Sequence, residues 1–121
     1  MGFLNPFQKK PNPFRDPAEL DKLSLQHLQK LGADLAQPRH VIHFVYFDQE
    51  ADARRAGDEI PKAGWQTSVL PPDDAATQWV VRAEATRVVD PHTVRSYRAW
   101  FEQVAESCNG EYDGWEAAAK P

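Results

Sequence analysis

The sequence predicts an α+β fold: a four-stranded antiparallel sheet with two helices on one face and an extra helix ahead of it. Three observations lead there. Residues 39–47, RHVIHFVYF, are a β-branched and aromatic run behind Pro38, the composition of a buried central strand. Two stretches open on the same Asp-Pro pair, Asp16-Pro17 and Asp90-Pro91, and continue with apolar residues at helical spacing. Residues 78–89, QWVVRAEATRVV, alternate in the manner of a strand with one packed face. In chain order the segments read α, then β-α-β-β-α-β. The last six are the signature of a ferredoxin-like βαββαβ sandwich.

Each element has its own local reason. For the first helix, Asp16 is a good N-cap, Pro17 suits the first helical position, and Glu19 completes a capping-box pattern. Leu20, Leu23, Leu28, Leu31 and Leu35 fall near one stripe, with His27 beside it, and Gly32 ends the helix. After the strand over 39–47, Asp48 is placed to cap a second helix. Its inward face of Ala53, Ala56 and Ile60 is small enough to lie close on a sheet, and Pro61 and Gly64 stop it. WQTSVL (65–70) is a short second strand and PPDDAAT (71–77) a turn-rich loop. In the third strand Trp79, Val81, Ala83 and Ala85 point one way, and Arg82, Glu84 and Thr86 the other. The last helix presents Val94, Tyr97, Phe101, Val104 and Cys108 inward, with Gly110 as its stop; EYDGWEAA (111–118) is the fourth strand. In this topology that strand is an edge, paired with the strand over 39–47.

The chain therefore divides into a flexible Pro-rich tail (1–15), an N-terminal helix (16–36) and the ferredoxin-like unit (38–119). At 121 residues it has room for one core. A hydrophobic content of 41% argues against global disorder. With 14 Lys and Arg against 18 Asp and Glu, the formal charge of -4 weighs against a nucleic-acid surface and suits a basic protein partner. Cys108 stands alone, which excludes an intramolecular disulfide. The apolar runs are too short to span a bilayer, and the N-terminus lacks the order and length of a secretory signal. Pro6, where myristoylation needs Ser or Thr, argues against that modification. The expected compartment is the cytoplasm.

Catalytic chemistry is hard to assemble from these residues. His40 and His43 lie three apart on one strand and so face opposite ways, which prevents a shared metal site; no cofactor or metal is expected. No nucleophile elbow, phosphate loop or dinucleotide fingerprint occurs. Glu111 and Asp113 share a face, and by strand parity Glu116 takes the other. An edge strand offers little burial to raise a carboxyl pKa, and solvated edge charges suffice to explain the three. His43 shares parity with Val41, Val45 and Phe47, where Tyr112 or Asp113 on the neighbouring strand could fix its tautomer. Tyr112 and Trp115 differ in parity, so both reach the core only if a bulge at Gly114 resets the register.

HFVYF (43–47) leading into an Ala-rich helix, GW (64–65), FEQVA (101–105) and GEYDGWE (110–116) together resemble the RraB family, regulators of ribonuclease E activity. The likeness covers about residues 38–119, and EYDGW is its most specific element. It implies a non-enzymatic protein that binds ribonuclease E and lowers its activity, modulating RNA turnover without cutting RNA itself. Another basic protein segment is the alternative partner. Direct contact with nucleic acid or membrane is not expected from the charge balance and the short apolar runs. Matching family positions are His43, Tyr46, Phe47, Gly64, Trp65, Glu111, Tyr112, Asp113, Gly114 and Trp115. Of these, His43, Glu111, Tyr112, Asp113 and Trp115 are the candidate partner-binding residues. The chain departs from well-known members in ending at AAAKP rather than in a strongly acidic tail. The competing expectation is a ferredoxin-like small-ligand sensor or a self-associating structural module, because this fold serves many functions.

Overall fold

The computed structural model describes residues 16–121; the tail expected over 1–15 lies outside the described residues. Its elements are helix α1 (Pro17–Lys30), strand β1 (Arg39–Phe47), helix α2 (Glu50–Glu59) with a 3-10 turn (Ile60–Ala63), strands β2 (Gln66–Leu70) and β3 (Trp79–Arg87), helix α3 (Pro91–Ser107) and strand β4 (Gly110–Ala117). The strands form one antiparallel sheet in the order β2-β3-β1-β4. This is the ferredoxin-like arrangement, with β1 and β3 central, β4 at the edge beside β1, and α1 added in front.

The core lies between the sheet and the helices. Val41, Val45 and Phe47 of β1, Val81 and Ala83 of β3, Ala53 and Ala56 of α2, Ile60, and Phe101 and Ala105 of α3 are all buried there. Small side chains let α2 approach closely, as its Ala face predicts: a Cβ added at Gly57 would sit 2.6 Å from Val69 Cγ2. In α3 the Asp90 carboxylate accepts from Thr93 N at 2.8 Å, and the Thr93 hydroxyl accepts from Asp90 N at 2.9 Å. In α1 Asp16 accepts from Glu19 N at 2.8 Å. Both Asp-Pro starts therefore cap their helices as expected.

Four local expectations are corrected. Asp48 does not cap α2; the N-cap is Gln49, without a side-chain bond, and Asp48 instead accepts from Gln78 Nε2 at 2.8 Å. The left-handed residue after α3 is Asn109 (φ 59), not Gly110. Gly110 already belongs to β4, where a Cβ would collide with the Phe47 ring. Trp65 precedes β2 rather than opening it. Finally, α1 does not turn its full leucine stripe inward. Leu20 is 45% exposed and Leu31 58%, and the buried face is Asp21, Leu25 and Leu28.

Asp21 explains that rotation. Its two oxygens accept from Arg98 Nε at 2.6 Å and Nη2 at 2.9 Å, and Oδ1 also accepts from the Trp115 indole N–H at 2.9 Å. One carboxylate thus ties α1 to both α3 and β4. The bidentate pair and the indole bond fix this orientation of the helix, and Leu25 and Leu28 pack into the core on the same face. Farther along, the fully buried Arg39 gathers three carbonyls, from Asp34 at 2.6 Å, Ala119 at 2.6 Å and Ala118 at 3.1 Å. It fastens the α1–β1 linker to the segment after β4.

Replacing Asp21 with Ala leaves the Arg98 guanidinium with Glu102 alone and the Trp115 indole N–H without its acceptor. Denaturant unfolding of Asp21→Ala should show a loss of about 3 kcal/mol. Asp21→Asn, which keeps an oxygen for the indole but removes the charge, should fall between it and the parent.

Candidate functional site

The GEYDGWE stretch becomes β4, and its register is set by one irregularity. Trp115 pairs with His43 and Tyr112 with Val45, so Asp113 and Gly114 together oppose Phe44. Gly114 has φ +101, a backbone state that costs little only for glycine. This bulge settles the parity conflict: Tyr112 and Trp115 both turn to the helix side. It also overturns one expectation. Glu116 pairs with Ile42 and therefore lies on the same face as Glu111 and Asp113, not opposite them.

On the helix side Tyr112 meets His43. His43 Nδ1 and the Tyr112 hydroxyl are 2.7 Å apart, and the imidazole is 0% exposed. It stacks on Phe101 at 4.3 Å between centroids and meets Trp65 and Tyr97 edge-on at 4.9 and 5.4 Å. Two cations close the cluster from outside. Arg87 lies 4.0 Å over the Trp65 ring and Arg98 lies 4.9 Å over the Tyr112 ring. Burial first, and then these two cations, lower the His43 pKa to about 3, so the ring is neutral at ordinary pH. Burial also holds the Tyr112 phenol well above its usual range, despite the opposing pull of Arg98. The cluster fixes β4 against β1 and α3.

The other face of the sheet carries none of the helices described. Cross-strand rows can be read directly from the pairing: Glu111, Tyr46, Val80 and Leu70; Asp113, Phe44, Arg82 and Ser68; Glu116, Ile42, Glu84 and Gln66. Ile42, Phe44, Tyr46 and Val80 are half-buried and Leu70 is 40% exposed, which makes an apolar and aromatic strip across the sheet. Glu84 is close to His40 (3.2 Å) and Arg82 (3.6 Å), so the charges in the middle offset one another. The acidity is concentrated on β4. Burial, followed by Asp113 and Glu116, raises the Tyr46 pKa, as carboxylates gathered around one phenol should. A separate groove of about 770 Å³ runs between α1 and α3, with Leu25, Leu35 and Val94 among its walls.

The five candidate residues therefore divide. Glu111 and Asp113 lie on the face away from the described helices, while His43, Tyr112 and Trp115 lie behind them in the packed layer. Asp21 and Arg98, which complete that layer, escaped sequence reasoning. The available signal was the spacing of Asp21, Leu25 and Leu28, which puts an acid in an apolar stripe. Among the described residues no group of His, Cys, Asp and Glu could hold a metal ion, and no helix is long and apolar enough to cross a membrane.

Compared with known protein families, residues 18–117 match the one described as RraB, Regulator of ribonuclease activity B. The matched span takes in α1 as well as the sheet, so it is wider than the stretch over which the motifs alone carry the likeness. No curated protein matches the chain.

His43 makes stability depend on pH in a definite direction. The unfolded chain takes up a proton near the ordinary value of 6.5, whereas the folded chain resists until about 3. Stability therefore falls as pH drops through that window, by up to ~1.4 kcal/mol per pH unit from this group. Urea unfolding between about pH 5 and 6.5, above most carboxylate titration, should show the slope in the parent and a flatter curve in His43→Phe.

Proposed function

The chain belongs to the RraB family of regulators of ribonuclease activity, and from that premise we propose that it is a non-enzymatic cytoplasmic protein that binds ribonuclease E and lowers its activity. The observation that carries the reading is the convergence of Glu111, Asp113 and Glu116 beside an aromatic strip on the face of the sheet away from the described helices. Such a surface suits a basic protein segment: carboxylates speed encounter and set orientation, and Phe44, Tyr46 and Val80 offer apolar contact. The same carboxylates disfavour a phosphate backbone. In this reading Glu111 and Asp113 touch the partner. His43, Tyr112 and Trp115 act from behind, holding β4 in the bulged register that aims the acids outward.

The test is binding to the native ribonuclease E with a parallel RNA-cleavage assay. The parent should bind and slow cleavage, most strongly at low salt, where screening is weakest. Glu111→Lys with Asp113→Lys should weaken binding by roughly tenfold or more at low salt, with the fold intact by circular dichroism. Absence of a complex at low salt, or a charge-reversed variant that binds like the parent, would overturn the proposal.

A further inference from the structure

Arg87 is held in place by neutral groups alone. Its guanidinium lies 4.0 Å over the Trp65 ring, and Nη2 donates to the Ala63 carbonyl at 2.8 Å. Gly64, at φ +92, leaves the room for it, because a Cβ there would sit 2.8 Å from Nη2. The Gly64-Trp65 pair thus builds a seat for one guanidinium. Arg54, Arg55, Arg82 and Arg98 each face a carboxylate, whereas the half-buried Arg87 forms no ion pair among the described residues. A fixed cation without a counter-ion is poised to take one from outside.

The seat opens on a cavity. Ala63, Trp65, Arg87, Tyr97, Trp100 and Phe101 line a space of about 280 Å³ between the 3-10 turn and α3. That is close to the lower end of the ~300–1,000 Å³ of small-molecule clefts, room for a single ring rather than a large cofactor. Its walls are aromatic. Trp65 and Tyr97 meet edge to face at 5.5 Å, and the half-buried Trp100 meets Phe101 edge-on at 4.9 Å. Such walls offer a face to a flat ring, while the guanidinium offers a planar fork of N–H donors to a carboxylate. A cationic ligand would meet like charge. Trp65, Tyr97 and Phe101 also touch His43, so the cavity shares its inner wall with the cluster that seats β4.

We propose that this cavity binds a small aromatic carboxylate, with its acid group on the Arg87 fork and its ring against Trp100 and Tyr97. The site lies on the helix side of the sheet, away from the acidic face, and its test contains no nuclease.

The experiment titrates the isotope-labelled full-length chain with benzoate, acetate and benzamide, reading the indole N–H signals of Trp65 and Trp100 by NMR. Benzoate should move both signals saturably. Acetate, which lacks the ring, and benzamide, which lacks the charge, should each bind roughly tenfold more weakly or worse. The Trp115 indole, bonded to Asp21 on the β4 side, should stay in place and reports an intact fold in each variant. Arg87→Gln should lose about tenfold or more in benzoate affinity, and Arg87→Lys should recover only part of it, because an ammonium lacks the fork. No saturable shift at Trp65 and Trp100 overturns the proposal. Benzamide binding as well as benzoate would leave an apolar cavity without anion recognition, and acetate binding as well would leave a bare cation; either result overturns it. Shifts centred on Lys22 and Arg95 would put the acid in the α1–α3 groove and overturn it too.

Discussion

The structure depends on one extra residue in β4. A regular strand would have split Tyr112 from Trp115 and Glu116 from Glu111 and Asp113. With Asp113 and Gly114 sharing one partner, the aromatic pair turns inward together and the acidic trio outward together. The inward pair then makes the two contacts that locate the edge strand, Tyr112 with His43 and Trp115 with Asp21. A bulge at a sheet edge serves a second purpose as well: it bends the strand and interrupts its free ladder, which discourages pairing with another sheet.

Polar groups do an unusual share of the packing. His43 occupies the centre of an aromatic cluster where a leucine would fit the pattern, and Arg39 is as buried as any valine. Such groups contribute little net stability when satisfied and cost much when a partner is lost, so they specify one arrangement more than they strengthen it. Asp21 is the clearest case. Its three accepted hydrogen bonds fix the rotation of α1 and the side chains of Arg98 and Trp115 at the same time.

Much of this was legible in the sequence because local signals agreed with the fold. The Asp-Pro caps, the alternation of β3, the parity of His43 and the small inward face of α2 each follow from chemistry within a few residues. What was not legible depends on distant partners. The face that α1 turns inward is chosen by Arg98, 77 residues away, and leucine spacing alone cannot report it. Asp48 looked like a cap because Asp often is one, but Gln78 offered it an amide across the fold. The grouping of Glu116 with the other acids turned on Gly114, whose need for a bulge was visible as a possibility and decided only by pairing with β1.

The attachment of α1 also bears on the order in which the chain folds. Its anchors to β4 and α3 join residues 94 and 77 apart, and Arg39 closes on Ala119 over 80. Loops of that length cost considerable entropy to close before other contacts have drawn the ends together. The β1–β4 ladder closes spans just as long, Val41 to Ala117 among them, so the docking of α1 and the placing of the edge strand draw on the same distant contacts. Because the seat of α1 is built from Arg98 and Trp115 together, the helix has its full set of anchors only when α3 and β4 are both in place.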